Sequence, residues 1–466
     1  QHQFINATDR LTSITVSGNC NGVVDMDGDG LDDIATLHNG NQLVVYYQQA
    51  DGTFVRHAYP QHANQPQWGF SLGDTDGDGH KDMISGGSYD NVFHLRISGR
   101  GTSQPAVNPN NNQMYMQCMN MADINNDGHT DAFGCHDDGA PRIWANNGSG
   151  TLSFADLINF ATTPASDMSG NYGSVWTDFD NDGDIDLYIA KCRQGHNDPA
   201  DVLRWDRLFV NDGNGNFTDR AAEFGVENRW QTWSVDFGDI DNDGDLDLVA
   251  TNHDRSMQLF ENDGSGHFTE ITVGSGLEVT GFHLQSHFED FDNDGFLDLL
   301  ISGMGIQHYF VNNGNKTFTQ IDFPFNAPKA LHSFGIGDLN NDGFPDVFGS
   351  YAGGYVEPDP QNPDRLWLNV PNGNHFLNVV LKGTESNIDA IGARVTLTTA
   401  LGTQVREVRA GESYGLVNSF ACHFGLGTHT TVETLTVTWP SGQVTTLTDV
   451  HADQVITVVE GECSSD

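Results

Sequence analysis

One pattern constrains this chain more than any other. The string Asp-x-[Asp/Asn]-x-Asp-Gly-x-x-Asp occurs seven times. It reads Asp25-Asp27-Asp29-Gly30-Asp33, Asp74-Asp76-Asp78-Gly79-Asp82, Asp123-Asn125-Asp127-Gly128-Asp131 and Asp178-Asp180-Asp182-Gly183-Asp186. The remaining copies are Asp239-Asp241-Asp243-Gly244-Asp247, Asp290-Asp292-Asp294-Gly295-Asp298 and Asp338-Asn340-Asp342-Gly343-Asp346. Successive copies start 49, 49, 55, 61, 51 and 48 residues apart. A period of this length marks a repeat architecture in which each unit is one supersecondary element.

The spacing suits an oxygen cage. Carboxylates at loop positions 1, 3 and 5 converge from one tight turn, and the glycine at position 6 permits the reversal. The carbonyl of position 7 adds a ligand, and the aspartate at position 9 closes the shell. The position 7 residues are Leu31, His80, His129, Asp184, Asp245, Phe296 and Phe344. Five loops carry carboxylates at positions 1, 3, 5 and 9, and two carry Asn at position 3. Such crowding without a cation is unfavourable. The expected cofactor is Ca2+, up to seven ions, since calcium takes six to eight oxygens in a flexible geometry. The loop resembles the front of an EF-hand, but the bidentate Glu at position 12 and the helices are missing. Strand-like runs follow instead, as in Asp186-Leu-Tyr-Ile-Ala and Asp298-Leu-Leu-Ile-Ser.

A second landmark recurs between the loops. Leu208-Phe209-Val210-Asn211-Asp212-Gly213 leads into Phe217-Thr218, and Leu259-Phe260-Glu261-Asn262-Asp263-Gly264 leads into Phe268-Thr269. Each copy is an apolar strand, an Asn/Gly turn and a strand opened by Phe. A unit thus supplies about four short strands, the content of one propeller blade. The expected fold class is all-β: a seven-bladed β-propeller over residues 1–370, a small β-sandwich over 371–461 and a loose tail over 462–466. The N-terminal Phe4-Ile5-Asn6-Ala7-Thr8 is expected to complete the seventh blade beside Leu366-Trp367-Leu368-Asn369 and so remove the exposed edge strands. The sandwich is expected from runs at 376–381, 393–398, 403–408, 435–439, 444–447 and 455–459.

Composition narrows the partners. With 64 acidic and 20 basic residues the net charge is −44, so nucleic acid and anionic bilayers are repelled. No apolar run reaches 18 residues, so no membrane span is expected. The chain opens Gln1-His2 without a charged-then-apolar leader, and is read as a mature secreted product, extracellular, or periplasmic or at the outer surface in a bacterium. Six cysteines in such a setting favour disulfides. Cys118 and Cys135 flank one aspartate loop and are expected to face each other across it. Four Asn-x-Ser/Thr sequons, at Asn6, Asn147, Asn216 and Asn315, matter only in a eukaryotic source.

With these residues in hand, the seven loops resemble FG-GAP/VCBS-type repeats, as in integrin α-chain propellers. The C-terminal stretch resembles the ASPIC/UnbV domain through Gly392-Ala393-Arg394-Val395, Arg406-Glu407-Val408, His423-Phe424-Gly425-Leu426-Gly427 and Val437-Thr438-Trp439-Pro440-Ser441-Gly442. The combination is similar to the cartilage acidic protein family and its bacterial relatives. That resemblance implies a secreted calcium-binding propeller and no single reaction.

Aligning the units on their loops shows which positions share a level. Six residues before each loop stand Asn19, Trp68, Gln117, Tyr172, Trp233, Leu284 and His332; just beyond each loop's last Asp stand His38, His136, Lys191, Arg193, His253, Arg255 and Tyr351. The candidate ligand-binding set is Trp68, Trp233, Lys191, Arg193, His136, His253, His332 and Tyr351: aromatic faces for sugar rings, cations for anionic groups. The alternative gives the aromatics to packing between blades and the histidines to strand ends. His283 and His287 are placed too far apart on a strand to share a metal.

The expected function is a calcium-stabilised extracellular binding or adhesion module for a glycan or protein. One alternative is a polysaccharide lyase or hydrolase using the His/Arg/Lys/Tyr funnel, and another is a structural protein that self-assembles through calcium. No H-E-x-x-H or P-loop occurs, and no catalytic residue is assigned.

Overall fold

A computed structural model describes residues 2–109 and 113–462. The Cys463–Asp466 part of the expected tail lies outside them. Each loop repeat joins the first two strands of an antiparallel meander, and the position 9 aspartate always opens the second strand. It pairs with the last residue of the first strand: Val24 with Asp33, Gly73 with Asp82, Ala122 with Asp131, Thr177 with Asp186, Gly238 with Asp247, Glu289 with Asp298 and Gly337 with Asp346. Units four, five and six are four-stranded, for example His283–Glu289, Asp298–Gly303, His308–Asn312 and Phe318–Ile321. Unit two departs from this plan. Its second strand, Asp82–Asp90, is long enough to pair also with Met114 and Tyr115 of unit three, and its third strand, Val92–Leu95, is short.

The first strands carry long buried runs, such as Thr232–Gly238 and Leu331–Gly337, because each lies between neighbouring first strands. Contacts run from the first strand of unit one through each unit to that of unit seven, which packs back on unit one. There Gly335 leaves room for Val23: a Cβ would come within 3.1 Å of the Val23 amide nitrogen. The N-terminal strand Phe4–Asn6 pairs antiparallel with Arg365–Asn369 and supplies the fourth strand of unit seven. Phe4 is set edge-on against Phe291 and Phe325.

Residues 375–459 form two sheets, a three-stranded one on His375–Lys382 and a four-stranded one on Arg394–Thr399. Leu377, Val379, Val395, Leu397, Leu435 and Val437 fill the space between them. The strands fall where the alternating runs placed them. Two further strands, Leu416–Val417 and Cys422–Gly427, lie outside those runs.

The segment between these sheets, residues 409–419, leaves the sandwich and threads the middle of the first strands. It touches all seven. Asn21 Nα donates to the Gly415 carbonyl and Ser71 Oγ to the Ala410 carbonyl; Asn120 Nδ2 donates to Gly411 O. Ser413 Nα donates to Ser174 O, and Arg409 Nη1 to Phe237 O. Gln285 Nε2 donates to Tyr414 O, and Ile336 Nα to Asn418 Oδ1. Charge is buried with the segment. His287 Nδ1 lies 3.2 Å from Asp236 and 2.9 Å from Glu412. Burial opposes a charge on His287, but the two carboxylates hold its pKa well above the ordinary histidine range.

The cysteines correct an expectation. Cys20, Cys118, Cys135, Cys192 and Cys422 are buried free thiols, and Cys463 lies outside the described residues. Cys118 and Cys135 do face each other on adjacent strands, with their thiols in side-chain contact. Cys118 Sγ also lies 2.9 Å from Ser174 Oγ in the next unit.

Two stability outcomes follow from these contacts. Tyr414→Ala removes a fully buried aromatic at the tip of the threading segment and should cost about 3–5 kcal/mol. Deleting residues 2–9 strips the fourth strand from unit seven and should lower the melting temperature by several degrees. Calorimetry checks both, and an unchanged melting temperature in the deletion would contradict the role given to the strand.

Candidate metal centres and the aromatic end

The seven loops share one hydrogen-bond plan. The glycine N–H at position 6 donates to Oδ2 of the position 1 aspartate in every copy, at 2.8 Å in Gly30–Asp25 and 3.3 Å in Gly244–Asp239. The position 7 N–H donates to Oδ1 of the position 5 aspartate, as from Leu31 to Asp29, His80 to Asp78, His129 to Asp127, Asp184 to Asp182, Asp245 to Asp243, Phe296 to Asp294 and Phe344 to Asp342. Position 9 has a further task. Its Oδ1 accepts a third-strand N–H from Gln48, Asn146, Asn211, Asn262, Asn312 and Asn369, and in unit two the N–H of Ile97, just beyond the short third strand. Part of each cage is therefore a structural clasp between loop and sheet.

Position 4 escaped the sequence reading. It is Gly28, Gly77, Asn126, Asn181, Asn242, Asn293 or Asn341, and every one has positive φ. Only Gly and Asn adopt that backbone readily. The invariant choice between these two residue types was a visible signal.

A divalent ion fits these loops. Buried carboxylate oxygens without a hydrogen-bond donor occur at position 3 (Asp27, Asp76, Asp180, Asp241), position 1 (Asp239), position 7 (Asp245) and position 9 (Asp186, Asp298). The triads Asp25/Asp27/Asp29, Asp74/Asp76/Asp78 and Asp178/Asp180/Asp182 each converge closely enough for one cation. The donor set is oxygen alone, the chemistry of a hard ion. Burial raises Asp123, Asp294 and Asp338 to about 6, and Asp82, Asp131 and Asp239 to about 7. Burial, then Glu407, raises Asp178 to about 7. The chain's own cations meet some of this charge: Arg100 pairs with Asp27 and Asp29, and Lys316 Nζ lies 2.6 Å from Asp241. His2 Nε2 lies 3.3 Å from Asp292.

The C-terminal sheets rest on the loop end of the ring. Thr403 Nα donates to Asn242 O, and Arg394 donates to the carbonyls of Asp178 and Gly244. Asp389 accepts the Asp74 N–H and binds Lys81 at 2.8 Å; Glu407 accepts the Asp178 N–H. Nothing in the loop pattern announced these partners.

The candidate ligand residues gather at the opposite end, where first strands begin and second strands finish. Trp68, Tyr172, Trp233 and Leu284 form one buried cluster whose centre is Tyr414 of the threading segment. Trp233 stacks on His253, with centroids 4.6 Å apart, and His253 Nε2 lies 2.9 Å from His283 O. The cations are engaged with the chain itself. Lys191 is buried, with Nζ donating to Ser169 O at 2.6 Å and Asn171 Oδ1 at 2.8 Å; burial, then Arg207, lowers its pKa to about 7. Arg193 pairs with Asp137 at 3.0 Å and Asp138 at 2.9 Å. His332 and Tyr351 are buried, the latter donating to Phe325 O. His136 is half-buried, with Nδ1 3.3 Å from Tyr115 O. The aromatics are brought together; His332 and Tyr351 lie outside their cluster.

Three predictions test the loops. Raised carboxyl pKa values mean that the metal-free fold is favoured below the unfolded value of about 4 and loses that advantage as pH rises through 6–7. With a chelator present, the melting temperature should fall from pH 5 to 7.5, and saturating divalent ion should remove the slope. Asp180→Asn should leave the metal-free protein as stable or more so, since its buried Oδ1 has no donor, while shrinking the ion-induced rise in melting temperature. Asp131→Ala should destabilise both forms, by about 1–3 kcal/mol without metal, because the Asn146 N–H is orphaned.

Comparison with known proteins agrees with this geometry. Residues 25–85, 74–134, 123–189, 178–250, 240–301 and 290–349 match the FG-GAP-like repeat, and residues 383–465 match ASPIC and UnbV. Cartilage acidic protein 1 of Xenopus tropicalis is 23% identical over 496 residues, covering 89% of this chain and 75% of that protein. The Mus musculus protein of that name is 28% identical over 276 residues, covering 54% of this chain and only 40% of its own length. Among solved structures, the BP39L lectin from Burkholderia pseudomallei superposes with a TM-score of 0.50 at 10% identity, over 76% of this chain and 96% of the lectin. That likeness concerns the fold alone. Six overlapping repeat matches spanning most of the sequence, followed by the C-terminal match, show that this chain belongs to the FG-GAP-like repeat family and carries an ASPIC and UnbV region behind its repeats.

Proposed function

We propose that this chain is an extracellular binding module: seven blades, each pinned by one calcium ion, with a ligand face at the aromatic end. The C-terminal sandwich, about residues 371–461, acts as the cap and axial plug of the ring. The observation that carries the reading is the separation of the two ends. The aspartate loops lie beneath the C-terminal sheets, while Trp68, Tyr172 and Trp233 collect at the far end around Tyr414. Calcium in this account is structural. It neutralises carboxylates that the fold needs at fixed positions, and leaves the far end to recognise a partner. The class of ligand that suits stacked aromatics is a glycan, or a protein carrying one. A secreted setting supplies the millimolar calcium that exposed loops of this kind require.

No specific observation favours an enzymatic reading. Lys191, Arg193, His332 and Tyr351 are committed to partners within the chain or buried. The test is a titration of metal-free protein followed by immobilised glycans and matrix proteins. Calcium should raise the melting temperature by mass action, about 2.7 kcal/mol per site at a hundred times its Kd. Magnesium should do less, because it holds its waters and demands stricter geometry. Saturable binding without turnover, lost on chelation, supports the module. Release of reducing or unsaturated sugar ends would overturn it in favour of an enzyme.

A further inference from the structure

The aromatic end is covered by a strap of its own chain. In unit six the second and third strands are joined directly between Gly303 and His308; in unit seven the corresponding crossing runs from Tyr351 to Arg365. This longer crossing begins Ala352-Gly353-Gly354 and carries Tyr355. The Tyr355 ring lies almost parallel to Trp233, at 8° with centroids 5.3 Å apart, and over Trp68 at 27° and 6.0 Å. Tyr355 is itself partly exposed, while Trp233 beneath it is 4% exposed. The far side of the strap is held: Pro358 packs where Gly18 has no side chain, and Asp364 accepts from Thr15 Oγ1 at 2.6 Å. The near side carries Gly353 and Gly354 and is held by the packing of Tyr355 and Val356 on the aromatic cluster.

Four polar atoms in the same neighbourhood are buried without a partner: Trp233 Nε1, Tyr414 Oη, Gln285 Oε1 and Asn19 Oδ1. Asn19 lies against Gly415, and Gln285 bonds to the Tyr414 carbonyl. Cores built for packing alone rarely leave such a group of polar atoms unmet. A ring that stacks and also brings several hydroxyls would satisfy them; an aromatic side chain would stack but bring at most one. We infer that the space held by Tyr355 is a pyranose-binding slot, occupied in the resting protein by the tyrosine of its own strap, and that a sugar enters by displacing it. This rests on the glycan reading above and adds the location of the slot and its internal competitor.

The closing experiment uses calcium-loaded full-length chain on a printed array of neutral and acidic pyranose glycans. Wild type, Tyr355→Ala, Tyr355→Phe and Trp233→Ala are compared, with N-acetyltyrosinamide as a soluble competitor. Tyr355→Ala should bind the same glycans as wild type about tenfold more tightly, since the open state no longer competes with self-occupancy. Tyr355→Phe should match wild type, and Trp233→Ala should lose binding. A readout on wild type guards against a variant that fails to fold: hydrogen exchange at residues 352–357 should speed up when a bound glycan is added. Equal or weaker binding by Tyr355→Ala, with slower or unchanged exchange, overturns self-occupancy while leaving the glycan reading standing. No glycan bound by either form overturns both. Binding of N-acetyltyrosinamide without any glycan overturns the pyranose assignment and points to an aromatic residue of a protein partner.

Discussion

The fold depends on holding clustered aspartates at fixed points in a turn. Each position 1 carboxylate gathers loop N–H groups, and each position 9 carboxylate clasps the third strand, so the loop cannot relax without loosening its sheet. The clasp forces carboxylates together out of bulk water, and burial then raises their pKa values. A divalent cation would resolve the conflict that the hydrogen-bond plan creates. The aspartates would then serve structure and ion binding at once, with loop chemistry and strand register repeating in step.

A second constraint joins the units to one another. Residues 409–419 bond to every first strand, so the C-terminal region is tied into the middle of the ring as well as resting on its loop end. Buried charge accompanies this docking, with Arg409, His287, Asp236 and Glu412 in mutual contact. Removing one partner of such a cluster leaves another unpaired, and that is more damaging than losing a surface pair. The same segment delivers Tyr414 to the aromatic end, which links the aspartate-loop end and the proposed ligand end through one continuous stretch of chain.

What was legible in the sequence was whatever repeats. Seven loops gave seven hairpins, and Phe4–Asn6 pairs where an edge strand was needed. The alternating C-terminal runs became strands in two sheets. Less legible were features that occur once. Tyr414 and Tyr355 sit in irregular segments without period, and their aromatic partners Trp68 and Trp233 lie more than a hundred residues away along the chain. Level was readable from the alignment of units, but orientation was not. Trp68 and Trp233 share one buried cluster, whereas Lys191 turns towards Ser169 O and Asn171 Oδ1 and Tyr351 packs beside Trp367. Cys118 and Cys135 meet across their strands as their spacing implied, but as free thiols.

The central claim is that these turns are ion sites whose charge is neutralised to hold the ring. Crystals grown with calcium and measured at a long X-ray wavelength would give an anomalous difference map of the loops directly. The account predicts one strong peak within each aspartate turn, surrounded by the oxygens of positions 1, 3, 5, 7 and 9. Turns without anomalous density at saturating calcium, with their carboxylates paired only to Arg100, Lys316 or water, would contradict it.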